Sequence, residues 1–422
     1  MRIALLCHGT RGDIQPHLAV ADELRSRGHV LSVAANQDHA ELVRRLGFES
    51  HVYPVDIAAF FQSREAKEFL ANGRSTSAAR AAARWARWEA RSRTKMEDAL
   101  IAACDGADLV VATGMTLSRA IAITERSGQP MKVVYMHPYW PTGDYPTPFL
   151  RVPASRLAIL NRLGHQIVEK AFEISDRLNT ASIRRRVGLT GQAPGHFNYC
   201  REHDVDVVNA FSPALAPRPA DWPDNHYVVG SPVIGSTIRS ALGESTADPD
   251  LTAWLHAGDP PVFFGFGSMP VLDPQTTMTM FVEVAKSLGL RALVGAGWSE
   301  IPAGLSADGE VFVSAGFDHD KVLPQCRAAV HHGGAGTTHA VVRAGIPAVV
   351  AHVFADQPFW GRQITQLGLG ADLPFRKLNR DRLHDALALA LAPLAAENAK
   401  MFGDILATEN GVVGTADALT RT

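Results

Sequence analysis

A glycine-rich segment carries the clearest chemistry in the sequence, and it reads His331-His-Gly-Gly-Ala-Gly-Thr-Thr338. It follows the apolar strand Ala328–Val330 and opens a predicted helix. Such a turn exposes unpaired backbone N–H groups at the positive end of a helix dipole, and glycines let a diphosphate approach the backbone. His331, Thr337 and Thr338 can add side-chain donors. The segment therefore predicts a phosphate site, although glycines alone could also serve the packing of a strand against a helix.

A carboxylate and an amide follow the next apolar strand, which lies in Gly345–Val350. Asp356 and Gln357 are expected at the carboxyl end of a parallel strand, where open α/β sheets bind ligands. Together they offer acceptors and a donor to the vicinal hydroxyls of a sugar. Asp356 could equally cap the helix that Pro358 opens, and the two roles are compatible.

Two other phosphate-binding motifs are incomplete. Neither Gly9-Thr-Arg-Gly12 nor Gly333-Gly-Ala-Gly336 extends to G-x-G-x-x-G, and the G-K-[ST] ending of a P-loop is missing. The sequence thus favours phosphate binding without hydride transfer.

Metal dependence would require a pair of carboxylates such as D-x-D on the diphosphate. Asp204-Val-Asp206 and Asp318-His-Asp320 have this spacing, which also arises often by chance. The first pair opens a strand instead of ending one. We expect no metal and no cofactor.

The composition is that of an ordinary globular protein, with 46% hydrophobic and 20% charged residues in a chain of 422. A net charge of −2 gives no reason to expect nucleic acid as a partner. Four scattered cysteines fit a reducing cytoplasm and argue against a disulfide framework or a zinc site. Since no run of 18 apolar residues occurs, we expect a cytoplasmic protein with at most peripheral membrane contact.

Short β-branched runs alternate with helical stretches in both halves, which predicts parallel sheets covered by helices. The predicted strands are Ile3–Cys7, Val30–Ala34, Leu109–Ala112, Lys132–Tyr135, Val205–Asn209, Val262–Gly265, Arg291–Val294, Val311–Val313, Ala329–His331 and Ala348–Ala351. This is an α/β fold with two doubly wound, Rossmann-like domains.

Four prolines in Phe211–Pro223 mark the approach to a domain boundary. We predict an N-terminal domain at 1–217, a linker at 218–240, a C-terminal domain at 241–405, and a C-terminal helix at 406–422 that packs back towards the N-terminal domain.

Residues 62–95 hold nine Lys or Arg against three acidic residues, together with Trp85 and Trp88. They could form a basic amphipathic helix that touches a membrane or an acceptor. The plainer interpretation is a solvated helical face with two aromatic residues against the core.

The combination H-H-G-G-A-G-T-T with Asp356-Gln-Pro-Phe-Trp-Gly361 resembles the donor-binding signature of inverting glycosyltransferases of the GT-B fold. The similarity is to the branch of sterol glucosyltransferases and bacterial antibiotic (glycopeptide, macrolide) glycosyltransferases. Gly9-Thr-Arg-Gly-Asp-Ile-Gln-Pro16, Phe266-Gly-Ser-Met-Pro270 and Tyr145-Pro-Thr-Pro-Phe149 add to it. The resemblance implies two domains that face each other across a cleft.

By position, the resemblance implies a set of donor contacts. Those to the nucleotide sugar are Arg11, Gly12, Ser268, Trp298, Phe317, His331, Gly333, Gly334, Gly336, Thr337, Asp356 and Gln357. Phe317 would lie beside the base and Ser268 on the β-phosphate. Because the sequence departs from plant members in the base-binding loop, UDP- and dTDP-sugars both remain open.

In many relatives a histidine near the N-terminus deprotonates the acceptor, and Asp13 has the corresponding position here, as in the sterol and glycopeptide branch. The resemblance therefore implies that Asp13 is the general base. Asp13 ends a glycine turn and begins a helix, so a plain helix cap is the alternative. His8 and His137 are the other candidate bases. The expected reaction is a single displacement with inversion, through an oxocarbenium-like transition state.

The acceptor is expected to be a small lipophilic alcohol or phenol, in contact with His137, Trp140 and Tyr145. A nucleotide-sugar epimerase, a phosphorylase and a non-catalytic nucleotide-sugar binder remain alternatives on the same fold. The oligomeric state is expected to be monomer or homodimer.

Overall fold

The protein is described by a computed structural model that covers residues 1–72, 75–150, 157–244, 248–267, 274–297, 304–305 and 309–421. The chain forms two compact units. The first unit consists of residues 1–57, 88–238 and 410–422, and the second consists of residues 58–87 and 239–409.

The first unit is built on a parallel sheet with the strand order β3-β2-β1-β4-β5-β6-β7. Its strands are β1 (Arg2–Leu6), β2 (Val30–Asn36), β3 (Glu49–Tyr53), β4 (Leu109–Thr113), β5 (Met131–Tyr135), β6 (Val207–Asn209) and β7 (His226–Val228). The central strand β4 is buried along its whole length, as expected for a sheet covered by helices on both faces.

The second unit has a sheet with the order β10-β11-β9-β8-β12-β13-β14. Among its described strands, only β10 and β11 pair antiparallel. Its strands are β8 (Val262–Gly265), β9 (Ala292–Gly295), β10 (Gly304–Leu305), β11 (Val311–Ser314), β12 (Ala328–His331), β13 (Ala348–His352) and β14 (Gly370–Pro374). The neighbours β8, β12 and β13 are parallel, so their carboxyl ends lie at one edge.

Helices connect the strands in both units. They are α1 (Arg11–Ser26), α2 (Ala40–Arg45), α3 (Ile57–Gln62), α4 (Arg64–Asn72), α5 (Ser75–Cys104), α6 (Leu117–Ser127), α7 (Ala158–Arg186), α8 (His196–Glu202), α9 (Ser236–Leu242), α10 (Pro249–His256), α11 (Pro274–Ser287), α12 (His319–Val322), α13 (Ala335–Arg343), α14 (Gln357–Gln366), α15 (Arg380–Ala390), α16 (Pro393–Ala407) and α17 (Gly411–Thr420). Two doubly wound α/β units, as predicted, result from this alternation.

The compact units and the predicted domain ranges differ most at residues 58–87. Phe61 lies 6.3 Å from Phe354, ring centroid to ring centroid, and joins the core of the second unit. Trp85 packs edge-on against Phe60 at 4.8 Å, and Arg84 pairs with Glu65. These contacts fit the plainer interpretation of the basic segment. Among the described residues, no helix has the length and hydropathy needed to span a membrane.

The C-terminal helix α17 packs on α1 in the first unit. Arg27 forms an ion pair with Asp417 at 2.6 Å, and Lys132 Nζ donates to the carbonyl of Ala418 at 3.0 Å. A Cβ atom at Gly411 would lie 2.3 Å from the carbonyl carbon of Ser231, so glycine allows the close approach.

Candidate active site

The glycine-rich turn lies at the carboxyl end of β12 and leads into α13. Gly333 has a φ of +88°, and a Cβ atom there would lie 2.5 Å from Cγ1 of Val350. Gly334 is the N-cap residue and provides no side-chain cap for the first backbone N–H groups of α13. A Cβ atom at Gly336 would meet nothing within 4 Å. The fold itself therefore does not require glycine at position 336, and the first backbone N–H groups of α13 could bind an anion.

His331 is fully buried at the end of β12. The Gly333 N–H donates to His331 Nδ1 at 3.1 Å, so the proton of the neutral ring is on Nε2. Burial lowers the pKa of His331 to about 3, which keeps the ring neutral. Nε2 is buried and has no hydrogen-bond partner among the described residues. The arrangement thus leaves an N–H donor that a ligand oxygen could satisfy.

His332 belongs to the same motif but is not among the donor contacts predicted from the sequence. Cβ atoms at Gly267 and Gly334 would lie 3.2 Å from its Cε1 and 2.5 Å from its Nε2, so both glycines make room for the ring. Burial lowers its pKa to about 4, and the charge of Asp356 opposes the shift. Its Nδ1 is buried and unpartnered within the described part of the chain. Gly333 and Gly334, which directly follow His332 in the sequence, are the signal that could have identified it.

Asp356 and Gln357 follow β13 as predicted, after a backbone turn at Ala355. Ala355 has a φ of +56°, which is uncommon for a residue other than glycine and is typical of functional turns. Asp356 is the N-cap residue of α14 by position, but its side chain does not cap the helix. Its Oδ2 instead accepts a hydrogen bond from Trp360 Nε1 at 2.9 Å.

Gln357 is almost fully buried, with 5% of its surface exposed. Its Oε1 accepts hydrogen bonds from the backbone N–H groups of Val353 at 2.8 Å and Phe354 at 3.2 Å. The side-chain carbonyl thus holds the turn, and the amide N–H groups are the part of Gln357 suited to a ligand hydroxyl.

Of three further residues that are predicted to contact the donor, the structure describes one. Phe317 is 9% exposed and packs edge-on against Phe263 at 5.3 Å and His319 at 5.1 Å. Ser268 and Trp298 lie outside the described residues.

Both carboxylates of the Asp318-His-Asp320 motif are held in ion pairs. Arg239 contacts Asp318 at 3.0 Å and Asp320 at 2.6 Å, and Arg343 contacts Asp320 at 2.5 Å. Asp206 of the other D-x-D motif pairs with Lys132 at 3.0 Å. These contacts give the carboxylates a structural role.

Asp13 lies in the first turn of α1, at the carboxyl end of β1. Thr10 is the N-cap residue, and Asp13 Oδ2 accepts from its backbone N–H at 2.8 Å and its hydroxyl at 3.0 Å. Gly9 has a φ of +139°, and a Cβ atom there would lie 2.4 Å from Asp13 Oδ2. The turn thus fixes the carboxylate as the N3 residue of a capping box, not as the N-cap. Arg11 and Gly12 are exposed in the same turn.

His8 has a well-defined protonation pattern. The Tyr53 hydroxyl donates to the Cys7 carbonyl at 2.6 Å, so it can only accept from His8 Nδ1, which lies 2.9 Å away. Burial lowers the pKa of His8 to about 4. His8 therefore is a neutral ring in the core of the first unit.

The predicted acceptor contacts follow β5. His137 packs edge-on against Phe149 at 6.2 Å between ring centroids. Trp140 is 5% exposed and lies inside the unit, 4.6 Å from the His226 ring. The Tyr145 hydroxyl donates to the Pro217 carbonyl, and His165 bonds to the Tyr145 carbonyl at 3.1 Å. Of the three side chains, Trp140 offers the least surface to a ligand.

Two protein families match the chain, one in each half. Residues 3–142 match the glycosyltransferase family 28 N-terminal domain, and residues 309–411 match the erythromycin biosynthesis protein CIII-like C-terminal domain.

Relatives with assigned activities align along nearly the whole chain. A sterol 3-beta-glucosyltransferase of Arabidopsis thaliana is 30% identical over 443 residues, which cover 100% of this chain and 68% of the relative. The O-mycaminosyltylonolide 6-deoxyallosyltransferase of Streptomyces fradiae is 32% identical over 419 residues, covering 98% of this chain and 95% of the relative.

Solved structures share the fold. The glycotransferase of kitacinnamycin aligns with a TM-score of 0.68 at 20% identity, over 100% of this chain and 98% of that one. The glycosyltransferase VinC in complex with DTDP aligns with a TM-score of 0.62 at 17% identity, over 100% of both chains. The family matches, the relatives and the shared fold together place this protein among the GT-B glycosyltransferases.

Proposed function

We propose that the protein is an inverting O-glycosyltransferase that transfers a hexose from a UDP- or dTDP-sugar to a hydroxyl of a small lipophilic acceptor. The hexose we propose is glucose. The observation that supports the donor side is the N-terminus of α13, which has no side-chain cap, together with the buried Nε2–H of His331, which has no hydrogen-bond partner among the described residues. Both supply N–H donors where the leaving diphosphate gains charge.

The sugar would be held after β13. The Asp356 carboxylate and the Gln357 amide N–H groups offer acceptors and donors to neighbouring hydroxyls. Gly334, Gly336 and Thr337 would contact the diphosphate, as the family motif implies. We further propose that no metal is required, because helix N–H groups and His331 can stabilise the leaving group.

Asp13 would remove the acceptor proton as the acceptor oxygen attacks the anomeric carbon. The bond from that carbon to the diphosphate oxygen breaks in the same step, so the configuration inverts. The capping box supports this role, since two donors on Oδ2 hold the carboxylate in one orientation.

The acceptor class follows from the relatives, which include enzymes named for a sterol and for a macrolide precursor. A sterol, polyketide, macrolide or other lipophilic natural product is therefore proposed. A cytoplasmic location is proposed as well, and the four cysteines, all buried and unpaired, support it.

The direct test incubates the protein with UDP-glucose or dTDP-glucose, each combined with a panel of steroids, macrolides and phenols, and analyses products by mass spectrometry and NMR. We expect a β-glycoside and release of the nucleoside diphosphate, also with a chelator present. Turnover of the nucleotide sugar without any acceptor, to give an epimer, would contradict the proposal.

A further inference from the structure

Two buried polar atoms at the end of β5 have no role in the proposed chemistry. Tyr135 is 2% exposed, and its hydroxyl has no hydrogen-bond partner among the described residues. The same holds for Nε2 of His137, two residues further on. Buried polar groups are almost always paired, so two such atoms close together in the chain call for an explanation.

The rings of both residues contact Tyr139. Tyr135 stacks on Tyr139 with ring centroids 4.4 Å apart, and His137 meets it edge-on at 5.9 Å. Phe149, which is 36% exposed, packs against Tyr139 at 5.2 Å and connects the cluster with the surface. The unpartnered atoms thus belong to one aromatic cluster with an apolar, partly exposed side.

A chain of buried hydrogen bonds fixes the central ring of this cluster. Asp176 Oδ2 accepts from His196 Nδ1 at 2.8 Å, and its Oδ1 accepts from the Ser118 hydroxyl at 2.5 Å. With Nδ1 protonated, His196 Nε2 accepts from the Tyr139 hydroxyl, 3.3 Å away. Tyr139 therefore uses its only proton on His196 and has none to donate to Tyr135 or His137.

The sheet topology relates this cluster to Asp13. β4 lies between β1 and β5, so the ends of β1 and β5 are separated by two strand spacings, about 10 Å. Asp13 follows β1, and Tyr135 ends β5, at the same carboxyl edge. An acceptor whose reacting hydroxyl is at Asp13 would therefore have to extend across the end of β4 to reach the aromatic cluster.

We infer that Tyr135 and His137 form a second polar subsite, which binds a hydroxyl or carbonyl oxygen at the far end of the acceptor. The inference rests on the proposed function and adds a substrate class to it. The preferred acceptor is a rigid, apolar ring system with an oxygen function at each of its two ends.

The test uses pairs of steroid alcohols that differ only in a second oxygen at the end opposite the reacting hydroxyl. For the wild-type protein we expect kcat/KM to be about tenfold higher for the acceptor with two oxygens, as one hydrogen bond in a buried site can provide. In Tyr135→Phe, which keeps the ring, the ratio of the two kcat/KM values should fall towards one. His137→Phe should lower it independently.

Tyr227→Phe is the matched control, because Tyr227 is on β7, at the sheet edge beyond β5 and β6. It should keep the wild-type preference. Thermal shifts with each steroid in the absence of donor provide a second readout that needs no turnover, so a failure of the transfer reaction can be told from a failure of the subsite.

Equal kcat/KM values for both steroids in the wild-type protein would overturn the inference, and the hydroxyl would then bind a water molecule only. An unchanged preference in both Tyr135→Phe and His137→Phe would overturn it as well.

Discussion

Nε1 of Trp360 donates a hydrogen bond to Oδ2 of Asp356, at 2.9 Å, across one turn of α14. The indole is completely buried and packs edge-on against His339 at 4.8 Å. A rigid ring therefore sets the orientation of the carboxylate proposed to bind the sugar.

Trp360→Phe tests this positioning role, since it keeps an aromatic ring and removes the N–H group. We expect the KM for the nucleotide sugar to rise about tenfold with a smaller change in kcat, because the carboxylate loses one fixed donor. Steady-state kinetics with varied donor measures both. Trp254→Phe is the control, since Trp254 Nε1 donates to the Gly309 carbonyl at 2.6 Å, and its loss should affect stability alone. Equal donor KM values for both variants would contradict the role.

Gly336→Ala separates ligand binding from folding. A Cβ atom there meets no protein atom within 4 Å, and alanine favours a helix by about 0.5–1 kcal/mol over glycine. Thermal unfolding should therefore show equal or higher stability. Calorimetric titration with UDP and dTDP should nevertheless show at least tenfold weaker binding, because the methyl group enters the proposed phosphate site.

Gly333→Ala is the contrasting variant at the same turn. With a φ of +88° and a Cβ atom 2.5 Å from Val350 Cγ1, it should lower the unfolding temperature. If Gly336→Ala binds both nucleotides as the wild type does, the phosphate site does not include this turn.

Stability should decrease as the pH falls below about 6.5, the ordinary pKa of histidine. Several histidines have pKa values lowered by burial to about 3 or 4, namely His8, His17, His226, His331, His332 and His339. Between these values and 6.5 the unfolded chain binds more protons than the folded one, so acid favours unfolding. Each such group contributes at most about 1.4 kcal/mol per pH unit.

Urea denaturation at pH 7 and pH 5 measures this dependence, with His331→Gln as the variant. The His331→Gln variant should lose less stability between the two pH values than the wild type. His384→Gln replaces an exposed histidine of α15 and should keep the wild-type dependence. An identical pH dependence in all three proteins would show that His331 is not buried neutral in the fold.

The interior of both sheets could be predicted from the sequence, but their edges could not. The ten predicted strands are all present, whereas β3, β7, β10 and β14 were missed, and in the described part of the chain these are the edge strands of the two sheets. Central parallel strands are apolar throughout because helices cover both faces. Edge strands such as Glu49–Tyr53 are largely exposed or half-buried, so no apolar run identifies them.

Local motifs predicted the positions of the site residues better than their hydrogen bonds. The turn at Gly333, and Asp356 and Gln357 after the next strand, lie at neighbouring strand ends as expected. The hydrogen bond from the Val353 N–H to the side-chain carbonyl of Gln357 depends on the left-handed turn at Ala355. An alanine in the sequence does not predict such a turn. That the Tyr135 hydroxyl has no hydrogen-bond partner within the described ranges likewise depends on three-dimensional packing.

Asp13→Asn tests the central claim most directly. Asparagine keeps a side-chain oxygen for the Thr10 donors, so the capping box and the fold should be retained, with circular dichroism and thermal unfolding as checks. The measurement is the single-turnover rate of glycoside formation, together with the calorimetric Kd of the nucleoside diphosphate. We predict a rate at least 100-fold lower with an unchanged Kd, since the amide cannot accept the acceptor proton. A rate within a few-fold of the wild type would show that Asp13 is not the base.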